Sequence, residues 1–133
     1  MNISNYTGYF HDGSILNIET HKSSIAFTLE SAVLDPSEIP NPELLSKSKT
    51  FIGKLHLMDI KRVEVDKKPF LEPLSKTYDS GEILDLELGN KTVFFLIEWM
   101  NYPPNKRESN TNTIWIEAEE IEWENLPNFK TRD

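Results

Sequence analysis

An antiparallel all-β fold, a sandwich or partly open barrel of about seven strands, is what this sequence predicts. Three observations lead there. Apolar and polar side chains alternate at period two in one segment after another. Turn-forming pairs such as Asp12-Gly13 and Gly89-Asn90 punctuate those segments. The links between segments are mostly too short for the crossovers that parallel strands need. Residues 1–133 read as a single domain, with no repeat, low-complexity stretch or linker.

Residues 1–13 form an irregular lead-in that ends on Tyr9-Phe10-His11-Asp12-Gly13. A strand follows over 14–20, with Leu16, Ile18 and Thr20 on one face, and another over 25–30 with Ile25, Phe27 and Leu29 inward. The short polar link His21-Lys22-Ser23-Ser24 makes these two a hairpin. Pro36, Pro40 and Pro42 forbid a central strand over 35–48, which reads as a surface loop with at most a short helical turn near 42–47. From Thr50 to Met58, Phe51, Gly53, Leu55 and Leu57 share a face. Ile52 adds apolar character to the other face, so this strand is expected to be central, with Gly53 at a bulge or close backbone approach. The pattern continues over 60–65 and breaks at Asp66-Lys67-Lys68-Pro69.

Pro69 and Pro73 argue against a regular strand up to Leu74, and Asp79-Ser80-Gly81 reads as a tight turn with Gly81 free to take positive φ. Residues 82–88 are a strand with Leu84, Leu86 and Leu88 inward. Gly89-Asn90 signals a two-residue type II′ hairpin into 92–99, where Val93, Phe95, Ile97 and Trp99 share one face. Phe94 and Leu96 on its other face predict a strand covered on both sides. Residues 101–112 read as a polar loop around Pro103-Pro104. In the last strand, from Thr113, the apolar phase slips between Ile114-Ile116-Ala118 and Ile121-Trp123. Such a slip turns the core side outward unless an extra residue is absorbed, which predicts a bulge near Glu119-Glu120.

A chain of 133 residues buries roughly 65% of its unfolded surface and needs no covalent staple. It has no cysteine, which removes disulfides, thiolate metal sites and cysteine nucleophiles and fits a reducing, cytoplasmic setting. No secretory signal is expected from the first residues, and no window approaches a membrane span. The triplets Asn5-Tyr6-Thr7 and Asn90-Lys91-Thr92 are therefore read as chance matches to the glycosylation pattern. A formal net charge of -8 disfavours a nucleic-acid partner and favours a basic protein. Phosphate-binding glycine loops and the common hydrolase and metalloprotease motifs are absent from the sequence. No cofactor, metal site or catalytic residue is assigned.

Two clusters carry chemistry. His11-Asp12 pairs an imidazole with a carboxylate, the parts of a general base or metal ligand. Neighbours on an extended chain point apart, so a structural turn is the expected role, and the spacing of His11, His21 and His56 matches no metal motif. The second cluster is Glu117, Glu119, Glu120, Glu122 and Glu124 beside Trp115 and Trp123. With the bulge, Glu117, Glu120, Glu122 and Glu124 line one outer face, either as a solvated edge or as an acidic surface for a basic partner. Trp99 and Trp123 fall on the inward phase, whereas Trp115 and the loop residue Tyr102 are the better contact residues.

The stretch Tyr9-Phe10-His11-Asp12-Gly13-Ser14-Ile15-Leu16-Asn17-Ile18 resembles the opening of bacterial immunity proteins of polymorphic toxin systems. In these, a Phe-His-Asp element feeds the first strand. Gly53-Lys54-Leu55-His56-Leu57 is similar to their later Gly-x-Leu-x-Leu strand. The likeness covers about the first half of the chain at the level of pattern and implies a small, cytosolic, non-catalytic protein that binds a cognate toxin. The expected function is thus non-enzymatic binding of a basic protein, in its concrete form neutralisation of a toxin by occluding its active site. Trp115, Glu117, Glu120, Glu122 and Tyr102 are the expected contacts, and Phe10, His11, Asp12 and Gly13 the motif. The alternatives are a small hydrolase or ligand-binding domain built on His11 and Asp12, or a structural assembly module.

Overall fold

Period-two alternation becomes seven strands in the computed structural model, which describes residues 3–130. They are β1 (Ser14–His21), β2 (Ser24–Glu30), β3 (Ile52–Val65), β4 (Lys68–Pro69), β5 (Ser80–Leu88), β6 (Thr92–Asn101) and β7 (Glu108–Asn125). Every pairing is antiparallel. The order is β2-β1-β5-β6-β7-β3-β4, and β2 also pairs with β3, so six strands close into a barrel with the two-residue β4 attached outside. One joint of the ring is narrow: β1 and β5 meet at the single pair Ser14–Glu82. Of the two expected architectures the partly open barrel is the one formed.

The interior is filled by side chains, as a small barrel requires. Phe27, Leu29, Phe51, Leu55, Leu57, Val93, Phe95, Ile97 and Ile116 are fully buried. Phe27 and Phe95 meet across the interior with ring centroids 4.8 Å apart. Each such side chain contributes about 1.5–3 kcal/mol on burial. β3 is central, as expected, lying between β2 and β7. Gly53 is the expected close approach: a Cβ there would stand 2.1 Å from the Glu124 carbonyl oxygen. A 3₁₀ turn over Pro42–Leu44 occupies the proline loop.

The long strands β3 and β7 bend together. Asp59 takes φ 56°, and inward positions shift from Leu57 to Ile60 on β3 just where they shift from Ile121 to Ala118 on β7. Glu119 and Glu120 are consecutive exposed residues, but the bulge expected there is not formed: pairing with β3 keeps its register from Ile121 to Ala118. The register shift itself falls on β3, between Ile60 and Arg62. Matching slips on opposed strands cancel, so the pairs Leu57–Ile121 and Ile60–Ala118 both survive and the extra residue is absorbed further along.

Several local expectations are corrected. β1 has an irregularity at Leu16, so Ile15, not Leu16, joins Ile18 inside. β5 has one at Leu84, so Ile83 and Leu86 point inward while Leu84 stays half-buried. Gly81 does not take positive φ; it is needed because a Cβ would lie 2.4 Å from the Trp99 ring. No glycine has positive φ among the described residues, so the β5–β6 connection is not type II′, and it closes with Gly89 N–H donating to the Thr92 carbonyl. Asp66 and Lys67, both at positive φ, form a tight turn that folds β4 back on β3. The polar loop shrinks to 102–107, because β6 and β7 continue as a two-stranded ribbon to the pair Asn101–Glu108. Residues 108–111 of β7 are exposed on both faces, which leaves no hydrophobic alternation to read there. The 70–79 segment buries Leu74 and stacks Tyr78 on Trp99 at 6.0 Å, so it caps the interior beside the narrow joint.

Candidate partner-binding surface

Phe10-His11-Asp12-Gly13 is the stitch that closes the barrel. Phe10 is fully buried and meets Trp123 edge-on at 5.5 Å. The Asp12 N–H donates to the Ile83 carbonyl, and the Ile83 N–H donates to the Gly13 carbonyl, both at 2.8 Å. His11 Nδ1 donates to the carbonyl of Leu84, which the irregularity in β5 leaves accessible. Asp12 supplies the turn through φ 67°, and Gly13 fits because a Cβ would come within 2.3 Å of the Glu30 carbonyl oxygen. Each residue of the motif therefore has a structural task.

The same geometry bears on the chemistry of the imidazole. With Nδ1 committed as a donor to a carbonyl, Nε2 is the remaining nitrogen, 3.7 Å from the Asp12 carboxylate and beyond hydrogen-bond distance. Both side chains are more than 60% exposed, so they stand on open surface, not in a cleft. His56 is on β3, bonded through Nε2 to Glu124 at 2.9 Å, and His21 ends β1 at the hairpin turn. The three histidines do not converge, and among the described residues no trio of His, Asp or Glu is grouped to hold a metal ion.

The glutamates of β7 divide at the bend. Glu119 is ion-paired to Lys91 at 2.8 Å and lies 3.7 Å from Lys61, and the hydrogen bond from Lys91 holds its carboxyl below the usual glutamate range. Glu124 is bonded to His56, and Lys54, paired with Glu124 across β3 and β7, bridges to Glu19 at 3.0 Å. Glu117, Glu120 and Glu122 form no ion pair among the described residues. Glu120 and Glu122 lie on the half of β7 paired with Met58 and His56, whereas Trp115 and Glu117 lie on the half paired with β6. Trp115 is half-buried, with the Arg62 guanidinium 4.8 Å from its ring centroid. Tyr102 is 43% exposed at the far end of the ribbon. It is eight residues beyond Phe94, the partner of Trp115, hence roughly 27 Å away along the strand. The five expected contact residues thus form no single patch.

Four carboxylates not assigned to any site from the sequence share the outer face of β5 and β6. Glu82 and Glu98 are directly opposed on β5 and β6, and Asp85 and Glu87 are paired with Leu96 and Phe94. A hydrogen bond that the protonated Glu87 carboxyl donates to the Asp85 carboxylate, reinforced by the charge of Asp85, raises Glu87 above the usual range. The signal was present in the polar phase of 82–88, but opposition to Glu98 depends on hairpin register, which the irregularity at Leu84 alters. Compared with family models, curated proteins and solved structures, the chain has no significant match to any of them.

Proposed function

We propose that this chain is a non-enzymatic binding protein for a basic partner, in its concrete form an immunity-type protein that covers a toxin's active site. The observation that carries the reading is the uncompensated acid on the outer face of its barrel. Glu120 and Glu122 stand exposed on β7 with no ion pair among the described residues, in a chain of net charge -8. Long-range attraction of this kind accelerates encounter with a cationic surface and orients it. The motif 10–13 fits the reading, because its residues are used to close the barrel and its imidazole and carboxylate are both more than 60% exposed.

The test is functional and kinetic. Where the reading frame directly upstream encodes a toxic product, co-expression of this chain restores growth, and the purified pair associates faster as salt is lowered. Glu120→Lys together with Glu122→Lys slows association at low salt by about tenfold. An unchanged on-rate would remove the electrostatic basis of the proposal, and failure to associate with that product would remove its toxin-neutralising form.

A further inference from the structure

We propose that the outer face of β5 and β6, with Phe94 and Leu96 at its centre and Glu82, Asp85, Glu87 and Glu98 around them, is the surface on which a basic protein partner docks. The inference rests on the partner-binding reading above and assigns its contact surface.

β6 is apolar on both sides. Val93, Phe95 and Ile97 fill the interior, whereas Phe94 and Leu96 point outward and remain half-buried. Among the strands and helical turns, β6 packs chiefly against its sheet neighbours β5 and β7. An apolar centre with a charged rim is the anatomy of a protein–protein contact. The rim is acidic toward β5, whereas Arg62 and Lys67 line the groove on the β3 side of Phe94. None of the four carboxylates forms an ion pair among the described residues, and the Glu82–Glu98 opposition places like charges where a sheet normally avoids them.

Charge also selects the occupant. On the β3 side of the same face Arg62 is already engaged by Trp115 and by Glu64 at 3.6 Å. The uncompensated negative charge on the β5 side therefore asks a partner for cations there and for an apolar group at Phe94 and Leu96. A nucleic acid is repelled by the four carboxylates. A second copy of this chain carries the same charge of -8. A basic protein surface with an exposed aromatic or aliphatic side chain satisfies both halves of the patch. The β7 glutamates then steer the encounter from outside the contact, so their reversal acts on the on-rate, whereas neutralising β5 acts on the affinity.

The probe is an amidated hexapeptide alternating Arg and Trp, titrated into the ¹⁵N-labelled full chain. Saturable amide shifts are expected over 82–87 and 93–98. Asp85→Asn with Glu87→Gln, both near-isosteric, should weaken binding about tenfold, and Glu120→Gln with Glu122→Gln less than about twofold. In the free chain Glu98→Gln should raise Tm by about 2 °C through relief from Glu82. Shifts centred on 120–124, with 82–98 silent, would overturn the surface assignment and leave partner binding standing. No saturable shift anywhere would overturn both. A dimer in sedimentation whose contact broadens the Phe94 and Leu96 signals would give the face to a second copy, and a lower Tm for Glu98→Gln would contradict the unrelieved repulsion.

Discussion

Replacing Phe10 with alanine tests whether the Phe-His-Asp-Gly element serves the fold. Phe10 is fully buried and packs edge-on against Trp123, while its carbonyl accepts the Gly13 N–H at 2.8 Å. The substitution removes a whole ring from the junction where β1 and β5 share one residue pair, so there is little neighbouring structure to collapse into the space. Losses for fully buried Phe→Ala changes run at about 3–5 kcal/mol. Domains of this kind are stable by about 5–15 kcal/mol, so the variant should fold with a much reduced margin. With a urea m-value of about 2 kcal/mol/M, the midpoint should fall by about 2 M at unchanged m. His11→Ala supplies the contrast. Its exposed ring contributes one hydrogen bond to Leu84, worth about 1 kcal/mol, or about 0.5 M in midpoint. Urea titrations followed by tryptophan fluorescence give both numbers. A Phe10→Ala shift below about 0.5 M, or a His11→Ala shift larger than that of Phe10→Ala, would refute the assignment of the motif to barrel closure.

Three further outcomes are expected. Gly81→Ala brings a Cβ to within 2.4 Å of the buried Trp99 ring, an overpacking worth about 1–3 kcal/mol, and should lower Tm by roughly 4–10 °C in a thermal melt. Asp79 accepts the Tyr102 N–H at 2.7 Å and the Asn105 amide at 2.9 Å, which hold its carboxyl below the ordinary aspartate range. A depressed acid stabilises the fold at neutral pH and loses that contribution as pH falls through the region below about 4, so hydrogen exchange at the Tyr102 amide should accelerate there, and Asp79→Ala should remove the pH dependence. Glu87 has the opposite sign: Asp85 raises it, so its contribution is present at low pH and is lost as pH rises through the range above about 4.3. Carbon-detected carboxyl titration should show Glu87 returning to the ordinary range in Asp85→Asn.

Much of the strand content was legible because side-chain alternation is local. The inward sets Ile25-Phe27-Leu29 and Val93-Phe95-Ile97-Trp99 follow from the two-residue repeat of an extended chain, and the phase slip before Ile121 was visible for the same reason. The alternation misled where the backbone departs from ideal pairing. Irregularities at Leu16 and Leu84 exchange the inward residue for its neighbour, and no composition signal marks them. The β7 half of the ribbon at the end of β6 was not legible because residues 108–111 are exposed on both faces.

The sequence by itself determined an acidic, antiparallel β chain, which faces of most strands are oily, and that Phe10 to Gly13 form a distinct element. The tertiary structure decided that the strands close into a barrel, what that element does, and which carboxylates stand uncompensated. His11 reaches Leu84 across 73 positions, His56 reaches Glu124 across 68 and Lys91 reaches Glu119 across 28. Charge compensation depends on which strands lie side by side and in what register, and hydrophobic periodicity within one strand carries no information about its neighbour.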